Sequence, residues 1–169
     1  MKNYVKIDIF ADTLFCSQDL IRRQIIQNKQ HKFMELNIGT KESPMQLQTP
    51  PLTSEYTMHV EKKDGQEVLV CTVGKTVLHY NINCIKDLHE MLKKHGDWME
   101  LGSADEQKPA KDGTVEAWGR DENNPVGGWY GLKKGLRGRF GMYLPPLMEK
   151  LGLAEVTHEA KNNKMRAIQ

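Results

Sequence analysis

Between residues 55 and 82 apolar and polar side chains alternate in three short runs, and two glycine turns separate the runs. Asp64-Gly65 is a strong two-residue hairpin signal, and Gly74-Lys75 suits a type II′ turn with glycine first. Two-residue turns at both places set Tyr56, Met58 and Val60 opposite Val73, Cys71 and Leu69. Leu69 and Cys71 in turn face Tyr80 and Leu78. One face then carries all of these together with Ile82, and no charge among them. A slip of one residue would turn every side chain over, so the pattern predicts a three-stranded antiparallel meander with Cys71 in the core.

The period changes at "NCIKDLHEMLKKHG". Ile85, Leu88 and Leu92 recur at helical spacing, Asn83 is placed to cap, and Gly96 suits the C′ position. This predicts a helix over 84–95 that covers the meander, with His89 and His95 as partly covered structural histidines. Further on, "TVEAW" alternates as a short strand with Val115 and Glu116 on opposite sides. Pro145 and Pro146 suit the first turn of a short helix, Gly152 its C′ position and Leu153 the hydrophobic contact of a Schellman motif. "LAEVTHEA" and "KMRAI" read as a terminal hairpin. The expected fold is α+β: meander, covering helix, Gly-rich irregular region, short helix and C-terminal hairpin. The last two, with Lys161, Lys164 and Arg166, bear a partial likeness to the recognition helix and wing of a winged-helix domain.

Residues 1–37 differ in composition. "YVKIDIF" suits a strand, and "SQDLIRRQIIQNKQHKFMEL" a helix capped by Ser17 with an apolar stripe through Leu20, Ile21, Ile25 and Phe33. The segment is read as an N-terminal extension, a docking arm or a helix through which a homodimer forms. A turn-rich connector with Gly39, Pro44, Pro50 and Pro51 follows, so residues 38–169 are expected to be a single domain.

The length of 169 residues allows one ordinary domain and an appendage. A net charge of +2 excludes a partner recruited by bulk charge, so electrostatics must be local. No apolar run is long enough for a membrane span, and Asp8, Asp12 and Asp19 interrupt any signal-peptide core, which points to the cytoplasm and no membrane partner. Cys16, Cys71 and Cys84 form no C-x-x-C pair, and no two histidines have zinc spacing beside a carboxylate, so neither a metal nor another cofactor is expected.

The candidate chemistry lies in "NPVGGWYGLKKGLRGRFGMYLPP", which holds five glycines between Gly127 and Gly138, four basic residues and no acid. It is neither a P-loop nor a dinucleotide fingerprint. Arg137 and Arg139 flank Gly138, where the backbone approaches an anion closely while two guanidinium forks reach it, and Lys133 and Lys134 add charge. Trp129, Tyr130, Phe140 and Tyr143 interleave as flat apolar surface, the combination that a nucleobase and its phosphate require. Trp129, Tyr130, Lys133, Lys134, Arg137, Arg139 and Tyr143 are therefore the expected contacts of a phosphate-bearing ligand, nucleic acid before a free nucleotide. The competing reading makes the glycines a tight crossing, the aromatics core and the cations a solvated rim, in a purely structural or protein-interaction domain. An enzyme would draw on the loop carboxylates Asp105, Glu106, Asp112 and Glu116 near Trp98 and Trp118; Glu116 is the one expected to point somewhere special.

At "GDWMELGSADEQKPA", "GTVEAWGR" and the whole run from Asn124 to Ile168, the chain resembles a family of small uncharacterised bacterial proteins, a domain of unknown function, over residues 38 to the C-terminus. The resemblance implies no activity. Residues 1–37 depart from the pattern.

Overall fold

The computed structural model describes residues 37–168. The chain divides between Asn37 and Ile38; the expected strand and helix of the extension lie outside the described residues. The domain is mixed α+β. Its elements run β1 (Met45–Gln48), β2 (Glu55–Lys63), β3 (Gln66–Val73), β4 (Thr76–Asn81), α1 (Cys84–His95), β5 (Met99–Glu100), α2 (Val115–Trp118), α3 (Phe140–Lys150), β6 (Ala154–Val156) and β7 (Lys164–Ala167).

The first four strands form one antiparallel sheet in chain order, and the last three form a second, ordered β5-β7-β6. The meander has the expected register: Met58 opposite Cys71, Val60 opposite Leu69, Leu69 opposite Tyr80 and Cys71 opposite Leu78. Asp64 and Gly65 both take positive φ, as a type I′ turn demands. Met58, Leu69, Cys71 and Tyr80 are fully buried. Val68, Val70 and His59, whose side chains alternate to the other face, are buried as well. Strand β1 extends the meander from within the connector, pairing Met45 with Met58 and Leu47 with Tyr56.

Helix α1 buries Ile85, Leu88 and Leu92, and Gly96 closes it in the left-handed conformation with its N–H donating to the Leu92 carbonyl. Asn83 does not cap with its side chain; it lies in the helical region, and its N–H instead donates to Asn81 Oδ1 at 3.0 Å. Helix α1 neighbours β7 and α3, and α3 neighbours β1 and β6. The "TVEAW" segment is not a strand. Thr114 is extended and accepts the Ala117 N–H on Oγ1 at 3.2 Å, which starts the one-turn helix α2.

Helix α3 begins at Phe140, five residues before the first of the two prolines expected in its first turn. Its start is set from outside the segment, because the Glu116 carboxylate accepts the Gly141 N–H at 2.7 Å. Its end is as read: Leu153 N–H donates to Met148 and Gly152 N–H to Glu149, the Schellman pattern, with Gly152 at φ +69°.

Candidate anion-binding site

The Gly-rich segment reaches its place by closing the sheet's open edge. Asn81 N–H donates to the Tyr130 carbonyl and Leu132 N–H to the His79 carbonyl, each at 2.9 Å, so residues 130–132 run along β4. The chain then folds back so tightly that any side chain at Gly131 would collide with the Arg137 backbone. Between these two points lies a closed loop, Leu132 to Leu136. Gly138 follows at φ +75°, packed so close to Tyr80 that a side chain there would strike its hydroxyl.

The loop turns its backbone amides inward onto one carboxylate. Gly135 N–H donates to Glu106 Oε1 at 3.0 Å and Arg137 N–H donates to Oε2 at 3.2 Å, while Arg137 Nε lies 3.6 Å from Oε1. Two backbone donors two residues apart, with a guanidinium nearby, surround one carboxylate in the manner of an anion nest, while the Leu136 N–H between them donates to the Lys133 carbonyl. The bond from Gly135, with that from Arg137 and the guanidinium charge, holds the Glu106 carboxyl below the usual carboxylate range. Next to it, Arg139 Nε donates to Asp105 Oδ1 at 2.7 Å and Nη2 donates to the same oxygen. A cavity of about 240 Å³ opens between these pairs and the sheet, walled by Thr76, Leu78, Gly138, Arg139 and Tyr143.

Arg120 locks the acidic loop in position. Its guanidinium donates to the carbonyls of Ala104 (2.5 Å), Asp105 (3.3 Å) and Lys108 (2.9 Å) and to Glu116 Oε1. Arg120 and Arg137 both lie over the Trp129 indole, 4.4 and 4.8 Å from its centroid. Glu116 is fully buried between Arg120 and the start of α3. Burial raises its pKa against the pull of the Gly141 amide and Arg120.

The model of a family of unknown function, DUF6855, matches residues 37–168. The chain belongs to DUF6855. Neither the curated proteins nor the solved structures hold a match to it.

In this DUF6855 domain the expected site residues separate. Tyr130 lies in the core: it is fully buried, stacks on Trp118 and Phe140 at centroid distances of 5.5 and 5.2 Å, and its hydroxyl donates to Asp87 at 2.9 Å. Large aromatics on irregular backbone here build the core, because the strap that carries Tyr130 is hydrogen-bonded into the sheet. Trp129 and Arg137 stay together as a stack, whereas Arg139 and the half-buried Tyr143 share the cavity; Lys133 and Lys134 are exposed. The segment is acid-free in sequence but not in space, since the loop carboxylates Asp105 and Glu106 pair with its arginines. Glu116 does point somewhere special: it is fully buried, and its oxygens are engaged by Arg120 and the Gly141 amide. Arg120, Asp105, Glu106 and Tyr80 were not expected at the site. Glu106 reaches it through a closure onto Gly135 that spans 29 residues and leaves no local signal in the sequence.

Among the described residues no group of His, Cys, Asp or Glu is placed to hold a metal ion, and no helix is long and apolar enough to cross a membrane.

Proposed function

We propose that the domain is a binding module for a phosphate-bearing ligand, with a nucleic-acid strand as the favoured class. The observation that carries this reading is the convergence of the Gly135 and Arg137 amides on a single anion position, which here holds the Glu106 carboxylate. Around it, Lys133 and Lys134 are exposed, Arg139 presents a half-exposed guanidinium, and Trp129 supplies an aromatic surface beside Arg137. Backbone amides and guanidinium forks position phosphates, and an indole stacks on bases irrespective of sequence. The helix and hairpin at the C-terminus are not assigned this role. Helix α3 buries Phe140, Gly141 and Leu144 to Met148, which leaves it no face for a groove.

The test is a fluorescence titration with short single- and double-stranded oligonucleotides at several salt concentrations. If only Lys133 and Lys134 displace counterions, the slope of log K against log salt on a single strand is about −1.4; if the arginines exchange their acids for phosphates it approaches about −2.8. Replacing both Arg137 and Arg139 with alanine then lowers it by about 1.4. No binding at low salt, or binding indifferent to that double change, defeats the reading. A scaffold role is the second reading, favoured by the acid partner that each arginine has in cis.

A further inference from the structure

Asp105 and Glu106 are adjacent in the chain, yet their carboxylates sit on two different cationic positions: Arg139 for one, the Gly135 and Arg137 amides for the other. Both positions border the same 240 Å³ cavity, which at about 30 Å³ per water has room for roughly eight waters. Beneath its wall the fully buried Tyr80 hydroxyl lies against Gly138 and finds no hydrogen-bond partner among the described residues. Buried hydroxyls without partners are uncommon, and this one lies directly behind Gly138, a residue of the cavity wall. Asp105 is only half-buried, and its pair with Arg139 is solvent-screened and weak, so its carboxylate can give way while Arg120 keeps the loop backbone in place.

We infer that Asp105 and Glu106 are an internal stand-in for two adjacent anionic groups of the ligand, and that the site takes a diphosphate or two consecutive phosphates of a strand after displacing them. This rests on the reading of the Gly-rich segment as a phosphate-binding loop. It adds that the free domain is self-blocked, with ligand and acidic loop competing for the same donors. A plug that leaves the site open about a tenth of the time lowers the apparent affinity about tenfold.

The experiment is a calorimetric titration of the full chain with inorganic pyrophosphate and, separately, orthophosphate, for wild type, D105N, E106Q and the double variant. Pyrophosphate is expected to bind more tightly than orthophosphate, and the double variant about tenfold more tightly than wild type, with D105N alone moving in the same direction. Y80F is expected to weaken pyrophosphate binding in the double variant. Thermal melts accompany each variant. Should E106Q disturb the loop, D105N, which touches only the exposed pairs with Arg139 and Lys108, still decides the matter.

Unchanged or weaker pyrophosphate binding in folded D105N and E106Q overturns the inference and makes Glu106 a structural clasp. An oligonucleotide arm separates this from the parent reading. Oligonucleotide binding that depends on Arg137 and Arg139, with no gain on removing the acids, keeps the reading and sinks the stand-in. A gain for pyrophosphate without oligonucleotide binding keeps the stand-in and assigns the site to small diphosphates.

Discussion

Removing the Glu116 carboxylate tests how the Gly-rich region is held. The side chain is fully buried, one oxygen accepting from Arg120, itself 10% exposed, and the other accepting the Gly141 N–H that begins α3. Glu116→Ala leaves a guanidinium without its carboxylate and a helix-start amide without an acceptor. Breaking a buried ion pair from one side costs about 3–5 kcal/mol, and a hydrogen bond to a charged group about 1.5–3. The two overlap, and Arg120 keeps three backbone carbonyls, so a loss of about 3 kcal/mol is expected. Glu116→Gln retains volume and an acceptor and should lose about half as much. With a urea slope of about 2 kcal/mol/M, the alanine variant unfolds at a midpoint lower by about 1.5 M. Far-ultraviolet circular dichroism and tryptophan fluorescence should give coincident curves if unfolding is two-state. An alanine variant within about 1 kcal/mol of wild type refutes the reasoning, because Arg120 and α3 would then be held by something else.

Three further outcomes follow from single positions. Gly141→Ala should destabilise by about 1–3 kcal/mol in the same urea assay, although alanine is favoured in helices by about 1, because the new methyl would collide with the Leu101 carbonyl; a stabilised variant contradicts that packing. Tyr80→Phe should raise stability by about 1 kcal/mol, since it deletes a buried hydroxyl that has no partner among the described residues, and a loss of that size would reveal a hidden bond. His158 donates towards both the Pro50 carbonyl and the Glu149 carboxylate. Burial opposes its charge, but those two acceptors outweigh it and raise the pKa. Its stabilisation is therefore full below the unfolded value of about 6.5 and fades as pH rises through the folded value. The wild-type advantage over His158→Gln should accordingly be larger at about pH 5.5 than at about pH 8.5; the opposite trend would refute the doubly donating imidazole.

Features set by near neighbours were legible in the sequence. The meander register follows from Asp64-Gly65 and Gly74-Lys75, each of which fixes a turn and thereby a face, and Gly152 with Leu153 announced the end of α3. Strand β1 carries no local signal, because its four residues lie among prolines and take strand form through pairing with β2. The start of α3 differs from the expected one for another reason: proline preference is local, whereas the Glu116 cap arrives from 25 residues away. In "TVEAW" the Thr114 cap signal was present, but the alternation of Val115 and Glu116 outweighed it in a segment too short to show a period. The glycine loop and its cations were recognisable, yet their counter-charges were not. Asp105 and Glu106 approach through a fold that Arg120 fixes by gathering three carbonyls, and no spacing rule encodes that.

The central claim, that the loop from Lys133 to Arg139 is an anion cradle occupied by Glu106, is tested most directly at the two donors. A ¹H–¹⁵N correlation spectrum of the full chain is recorded while sodium pyrophosphate is added at constant ionic strength. The account predicts that the Gly135 and Arg137 amides shift together along one binding curve, that the Arg139 side-chain Nε signal shifts with them, and that the remote Gly65 and Gly96 amides stay fixed. Gly135 and Arg137 amides that remain unmoved, or that move no more than Gly65 and Gly96, would contradict it.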